Sequence, residues 1–120
     1  MNEPKRHNFK NLKIWQLSMD IANDVWNVLE HFPQLEKYDL RSQISRCSIS
    51  IPSNIAEGSS RTDKSFKHFL DVALGSSFEL LTQLLIAKNR NYINKEHFIN
   101  LEKKIEEFQR MAMAFQNKLK

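Results

Sequence analysis

The chain has 120 residues, with 18 Lys and Arg against 14 Asp and Glu, a formal charge of +4, and only 2 Gly and 3 Pro. That length fits one domain, and so few turn formers argue against a β-sandwich or barrel, a glycine-rich phosphate loop and a dinucleotide-binding turn. The single Cys cannot form an intrachain disulfide, and the longest uncharged run, Cys47 to Ala56, falls far short of the ~20 residues that span a bilayer. A soluble, cytoplasmic, mostly helical domain is expected. Residues 1–8, with Lys5 and Arg6 and no apolar signal core, read as a flexible basic tail, and residues 9–120 as the single domain.

Four segments read as helix. In the first, Leu12 to His31, the residues Ile14, Leu17, Ile21, Val25, Val28 and Phe32 recur at helical spacing, and Trp15, Ala22, Trp26 and Leu29 widen the face. Asn11 is the expected N-cap and Pro33 the stop. The second, Tyr38 to Glu57, carries Leu40, Ile44, Cys47, Ile51 and Ile55 in one row. Pro52 either ends this helix or kinks it, and the apolar register beyond it favours a continuing, kinked helix closed by a left-handed Gly58.

The third helix runs from Asp63 to Arg90, capped by Thr62 or Asp63, with Phe66, Leu70, Ala73, Ser77, Leu80, Leu84 and Ala87 on one face. Gly75 in its middle suggests close helix–helix approach beside Phe69 and Phe78. The fourth, Lys95 to Leu119 after an Asn94 cap, repeats Phe98, Leu101, Ile105, Phe108, Ala112, Phe115 and Leu119 as a heptad seam, while Glu102, Lys103, Glu106, Glu107 and Arg110 form its solvated side. Short connections make consecutive helices antiparallel. The expected fold is all-α: an up-down-up-down antiparallel four-helix bundle with its second helix kinked at Pro52.

No reaction is legible, and neither an enzyme nor a cofactor is expected. His7, His31, His68 and His97 stand far apart with no H-x-x-x-H or Glu-x-x-His spacing, so no metal site is predicted. Cys47 reads as a small core residue. The richest segment runs from Arg41 to Gly58, where polar groups interrupt an apolar helix more than packing requires. Asn54, Glu57 and, on the third helix, Glu79 could meet near the core. Arg41 and Arg46 are then the nearest donors for a buried carboxylate. Such a group is either a small-ligand pocket or a network that fixes helix register.

Within that segment, Ser50 to Gly58 reads Ser-Ile-Pro-Ser-Asn-Ile-Ala-Glu-Gly. It resembles the signature of the small four-helix bundle proteins encoded in intervening sequences of bacterial 23S ribosomal RNA, often called ribosomal-protein-like. Phe9, Leu12, Trp15, Phe32-Pro33, Glu36, Leu40, Ser42-Gln43 and Arg46 upstream agree with that family. Phe69-Leu70, Ala73, Gly75-Ser76 and Glu79-Leu80 agree downstream. Cys47-Ser48 departs from it, where many relatives carry small Ala-type residues. The resemblance implies a homopentamer and a relation to the accessory proteins of diversity-generating retroelements. Those proteins bind nucleic acid through basic surfaces and contact a reverse transcriptase, which makes a reverse transcriptase an expected partner here by analogy.

The bundle topology also sorts the charge. One end gathers the start of the first helix, the turn between the second and third, and the end of the fourth. It collects Lys5, Arg6, Lys10, Lys13, Arg61, Lys64, Lys67, Lys118 and Lys120 against Glu3, Glu57 and Asp63. The other end is nearly balanced. A basic pole of this kind attracts polyanions without reading bases. The expected function is therefore a homo-oligomeric, non-enzymatic nucleic-acid binder with RNA as the expected partner. The alternative is a protein-interaction scaffold or ligand-binding bundle using the Asn54/Glu57/Glu79 region.

Overall fold

The computed structural model describes residues 7–34 and 39–120. A short 3-10 turn, Phe9–Asn11, leads into α1, Lys13–Leu29; then follow α2, Leu40–Ser59, α3, Asp63–Asn89, and α4, Lys95–Lys118. No strand occurs among the described residues. Helix α1 packs on α2 and α4, and α3 packs on α2 and α4, which is the ring order of an up-down-up-down bundle. Cross-helix bonds give the directions. The Asp24 carboxylate of α1 accepts from Lys104 Nζ of α4 at 2.6 Å, and Gln109 Nε2 of α4 donates to Ser77 Oγ of α3 at 3.1 Å. Farther along, Gln116 Nε2 donates to the Lys67 carbonyl at 2.9 Å, so α3 and α4 run antiparallel.

The apolar rows read from the sequence form the core: Ile21, Ile44, Ile51, Ile55, Phe66, Leu70, Leu80, Leu84, Ile105 and Phe108 are all fully buried. Burial removes roughly 1.5–3 kcal/mol of unfavourable hydration per large side chain, which is why the rows rather than helix propensity fix the fold. Helix α3 is long and apolar enough to cross a bilayer by length and composition. Here its apolar row, Phe66 to Ala87, is instead covered by the other helices.

Helix ends show where side-chain chemistry overrode the pattern. Thr62 Oγ1 accepts from Ser65 N–H and Asn94 Oδ1 from His97 N–H, as N-caps do. Asn11 is not the cap of α1. Asn8 caps the 3-10 turn by accepting from Lys10 N–H, and Leu12 then precedes α1 without a side-chain cap. His7 and Asn8, assigned by sequence to the tail, are seated on the bundle, with His7 N–H donating to the Ser59 carbonyl at 3.2 Å.

Helix α2 passes through Pro52 without interruption, with the ring buried. Both glycine expectations need correction. Gly58 has no positive φ. The end of α2 is closed by hydroxyls and tight turns instead: Ser59 Oγ donates to the Ala56 carbonyl, Ser60 Oγ to the Glu57 carbonyl, and Arg61 N–H to the Gly58 carbonyl. Gly58 is needed for contact, because a Cβ there would lie 2.7 Å from the Phe66 ring and 2.7 Å from Phe69 Cβ. Gly75, expected at a close helix crossing, faces open space. Among the described residues the left-handed one is Asn91, φ 64°. It closes α3 as a Schellman motif, with Asn91 N–H on the Lys88 carbonyl and Tyr92 N–H on the Ala87 carbonyl. Asparagine tolerates this backbone better than other residues with a Cβ.

Candidate nucleic-acid interface

The end predicted to be basic is assembled by real contacts among three segments. The His7 ring sits 5.3 Å from Phe66 of α3 and 5.8 Å from Phe115 of α4, and its Nε2 is 3.6 Å from Asp63 Oδ1. The Lys120 backbone N–H donates to Asp63 Oδ2 at 3.1 Å. Aromatic packing of His7 and the Lys120 hydrogen bond thus pin the chain entering α1 and the chain leaving α4 onto the first turn of α3. Nothing in the spacing of the four histidines singled out His7 for this role; only the packed α3 and α4 supply the aromatic slot.

Lys10, Lys13, Lys64, Lys118 and Lys120 are exposed at this end and Lys67 is half-buried. None of these six forms an ion pair with a carboxylate of the described residues. Arg61 differs. Its guanidinium is 3.1 Å from Glu57 Oε2 and lies over the Phe69 ring at 5.4 Å, so part of its charge is spent locally. The acids here are occupied: Glu57 by Arg61, and Asp63 by His7 and the Lys120 backbone. Lys5, Arg6 and Glu3 lie outside the described residues. At the other end of the bundle Arg41, Lys88, Arg90 and Lys95 stand against Glu30, Asp39 and Glu96.

The predicted polar group around Asn54, Glu57 and Glu79 does not form. The Glu57 side chain is 54% exposed, because its place on α2 points it along the surface to Arg61 one turn on. Asn54 Nδ2 donates to the Ser50 carbonyl at 2.8 Å and to Ser50 Oγ at 3.0 Å. Ser50 Oγ bonds in turn to Ser76 Oγ of α3 at 2.9 Å. Glu79 is exposed on α3 and reaches the Cys47 thiol. Arg41 Nε donates to the Leu29 carbonyl at 3.1 Å, closing the end of α1, and among the described residues Arg46 reaches Ser42 Oγ alone, at 3.4 Å. The five residues therefore serve separate local purposes. Glu57→Ala should lower stability by under about 0.5 kcal/mol, as expected for an exposed i,i+4 pair. A thermal melt displaced by ten degrees or so would refute that.

Cys47 is buried, and burial first, then the hydrogen bond and charge of Glu79, push its thiol up from 9.0 to about 11. The folded state holds this proton more tightly than the unfolded chain. Its contribution to stability is therefore complete below about pH 9 and is lost as pH rises toward about 11. At neutral pH almost no thiolate exists, so alkylation of native protein by iodoacetamide should run more than about tenfold slower than that of the urea-unfolded chain. Equal rates would show that the thiol is neither buried nor proton-bound. Among the described residues no group of His, Cys, Asp and Glu is placed to hold a metal ion.

Three comparisons bear on this arrangement. Residues 10–114 match the family model for the 23S rRNA-intervening sequence protein. Among solved structures, the chain is similar to a protein with unknown function from the S23 ribosomal protein family of Bacteroides thetaiotaomicron. The TM-score is 0.81 at 20% sequence identity, over 88% of this chain and 96% of that one. That identity carries the fold alone. No curated protein matches the chain.

Proposed function

This chain belongs to the 23S rRNA-intervening sequence protein family, and from that premise we propose that it is a non-enzymatic, homo-oligomeric bundle that binds RNA through the phosphates. The observation that carries the reading is the end where Lys10, Lys13, Lys64, Lys67, Lys118 and Lys120 converge without a carboxylate partner among the described residues. Cations held by three rigid segments release counterions from a polyanion wherever they meet its backbone. Among the described residues the aromatics at this end, Phe9, Trp15, Phe69 and Phe115, are half-buried and form no exposed ladder to stack bases, so binding there is insensitive to sequence. The test is RNA binding by the full chain as salt is raised. A protein that binds no RNA at low salt would favour the scaffold reading. The dispersal of Asn54, Glu57 and Glu79 to separate partners weighs against that alternative.

Oligomerisation is supported by apolar surface the bundle does not cover. Phe78 is 50% exposed, and Val72, Leu85 and Ile86 on the same helix are also exposed. Trp15 and Phe69 are half-buried, Trp15 against Phe9 and Phe69 under Arg61. A helix face of this kind in a ring of like subunits is covered by its neighbour. Light scattering should return a multiple of the 14.2 kDa chain mass. A monomer across micromolar concentrations would overturn this part of the proposal.

A further inference from the structure

Away from the lysine-rich end, the junction of α1 and α2 forms an open cleft of about 280 Å³ lined by Trp26, Leu29, Arg41, Ser42, Ser45 and Arg46. Its composition is unusual for a surface depression. It holds two guanidinium groups, two hydroxyls and an indole, and no Asp or Glu among the described residues that line it. Neither arginine forms an ion pair with any described residue.

The side chains are arranged for use. Arg41 spends its Nε on the Leu29 carbonyl, the last residue of α1. That bond restrains the guanidinium of a residue that lines the cleft and leaves its terminal nitrogens without a partner among the described residues. A guanidinium held this way loses little freedom on binding an oxyanion. Arg46 is exposed, with a long 3.4 Å contact to Ser42 Oγ that a charged acceptor would outcompete. Trp26 is 60% exposed, although it is the kind of large side chain that folding usually covers. Its ring also borders the apolar groove running on between α1 and α2 past Met19, Ile49 and Pro52. The cleft therefore has a cationic half and a flat aromatic half, joined at the indole.

We infer that this cleft binds one nucleotide unit, with the phosphate between Arg41 and Arg46 and the base stacked on Trp26. Phosphate oxygens match the planar donors of the two arginines, and the Ser42 and Ser45 hydroxyls can complete the acceptor shell. Any base has a π-face for the indole, so the site asks for the nucleotide class rather than one base. A nucleotide free in solution and a nucleotide within a single strand present the same chemistry. The site does not depend on the lysine-rich end, which lies beyond the other end of α2.

The experiment uses Trp15→Phe in the full chain, which leaves Trp26 as the one indole because the chain has two Trp. Adenosine monophosphate should quench its fluorescence. Adenosine should bind at least about tenfold more weakly for want of the phosphate, and inorganic phosphate should compete without quenching. Arg46→Gln is the preferred variant, since Arg41 also closes α1. It should weaken adenosine monophosphate binding about tenfold with the helical circular dichroism unchanged. Lys64→Gln with Lys67→Gln should leave it unchanged. A ten-residue single-stranded adenylate that binds at least tenfold tighter than the mononucleotide assigns the site to a strand, and equal affinity assigns it to free nucleotide. Absence of quenching at millimolar adenosine monophosphate, or an Arg46→Gln protein that binds as wild type, overturns the inference. Equal loss in the Lys64/Lys67 variant overturns it as well, because binding would then belong to the basic end.

Discussion

Gly58→Ala should destabilise the bundle, and Gly75→Ala should stabilise it, although both glycines are helical. At position 58 the added methyl meets Phe69 Cβ and the ring of Phe66 at 2.7 Å. Phe69 Cβ is tied to the backbone of α3, and Phe66 is fully buried, so neither can swing aside. Relief requires α2 and α3 to move apart along the most closely packed seam of the molecule. Overpacking of this sort costs about 1–3 kcal/mol, against which alanine returns ~1 kcal/mol of helix propensity. Gly58→Val adds bulk and a stiff χ1, gives back less propensity, and should cost about 3 kcal/mol or more. At position 75 nothing lies within 4 Å of the new methyl. The gain there is the propensity term alone, about 0.5–1 kcal/mol. Urea unfolding of the three variants measures the difference. A Gly58→Val protein as stable as wild type would mean that α2 and α3 are not in this contact, and with it the assembly of the basic end on the α2–α3 turn would be in question.

RNA affinity should fall steeply with salt and depend little on sequence. If about five phosphates are neutralised, log K against log salt slopes near −3.5 to −4.5, a loss of ~100–500-fold between about 50 and 200 mM. Lys64→Gln with Lys67→Gln should flatten the slope by roughly one to two units. Both side chains are on the first turns of α3, and the bond from Gln116 goes to the Lys67 carbonyl, so the substitutions leave the packing intact. Lys88→Gln with Arg90→Gln is the control at the balanced end and should change the slope much less. Lys88 lies over the Phe98 ring at 5.2 Å, so this variant also needs a melting curve beside the binding data. Equal weakening by the two double variants would show that the charge is not organised as a pole. No weakening by either would remove the lysines from the binding surface.

The helices and their buried faces were determined by the sequence itself, because an amphipathic row at 3.6-residue spacing has one way to leave water. Phe98, Leu101, Ile105, Phe108 and Ala112 were readable as a seam for that reason, and so was the buried Cys47. The Thr62 and Asn94 caps were local in the same sense: a side chain bonds an N–H three residues on. The convergence of the lysine-bearing segments followed from topology alone, since short loops force antiparallel neighbours. What the sequence could not decide was anything requiring the distance between two helices. Gly58 and Gly75 look alike in the chain, yet one meets Phe66 and Phe69 while the other faces solvent. Glu57 and Asn54 sit in one polar run, but rotation about α2 sends one to the surface beside Arg61 and turns the other back to Ser50, itself bonded across to α3. Arg41 and Arg46 were expected to meet a carboxylate. The end of α1 instead gave Arg41 a carbonyl and placed both beside Trp26, a juxtaposition set by how α1 and α2 pack across residues twelve or more apart.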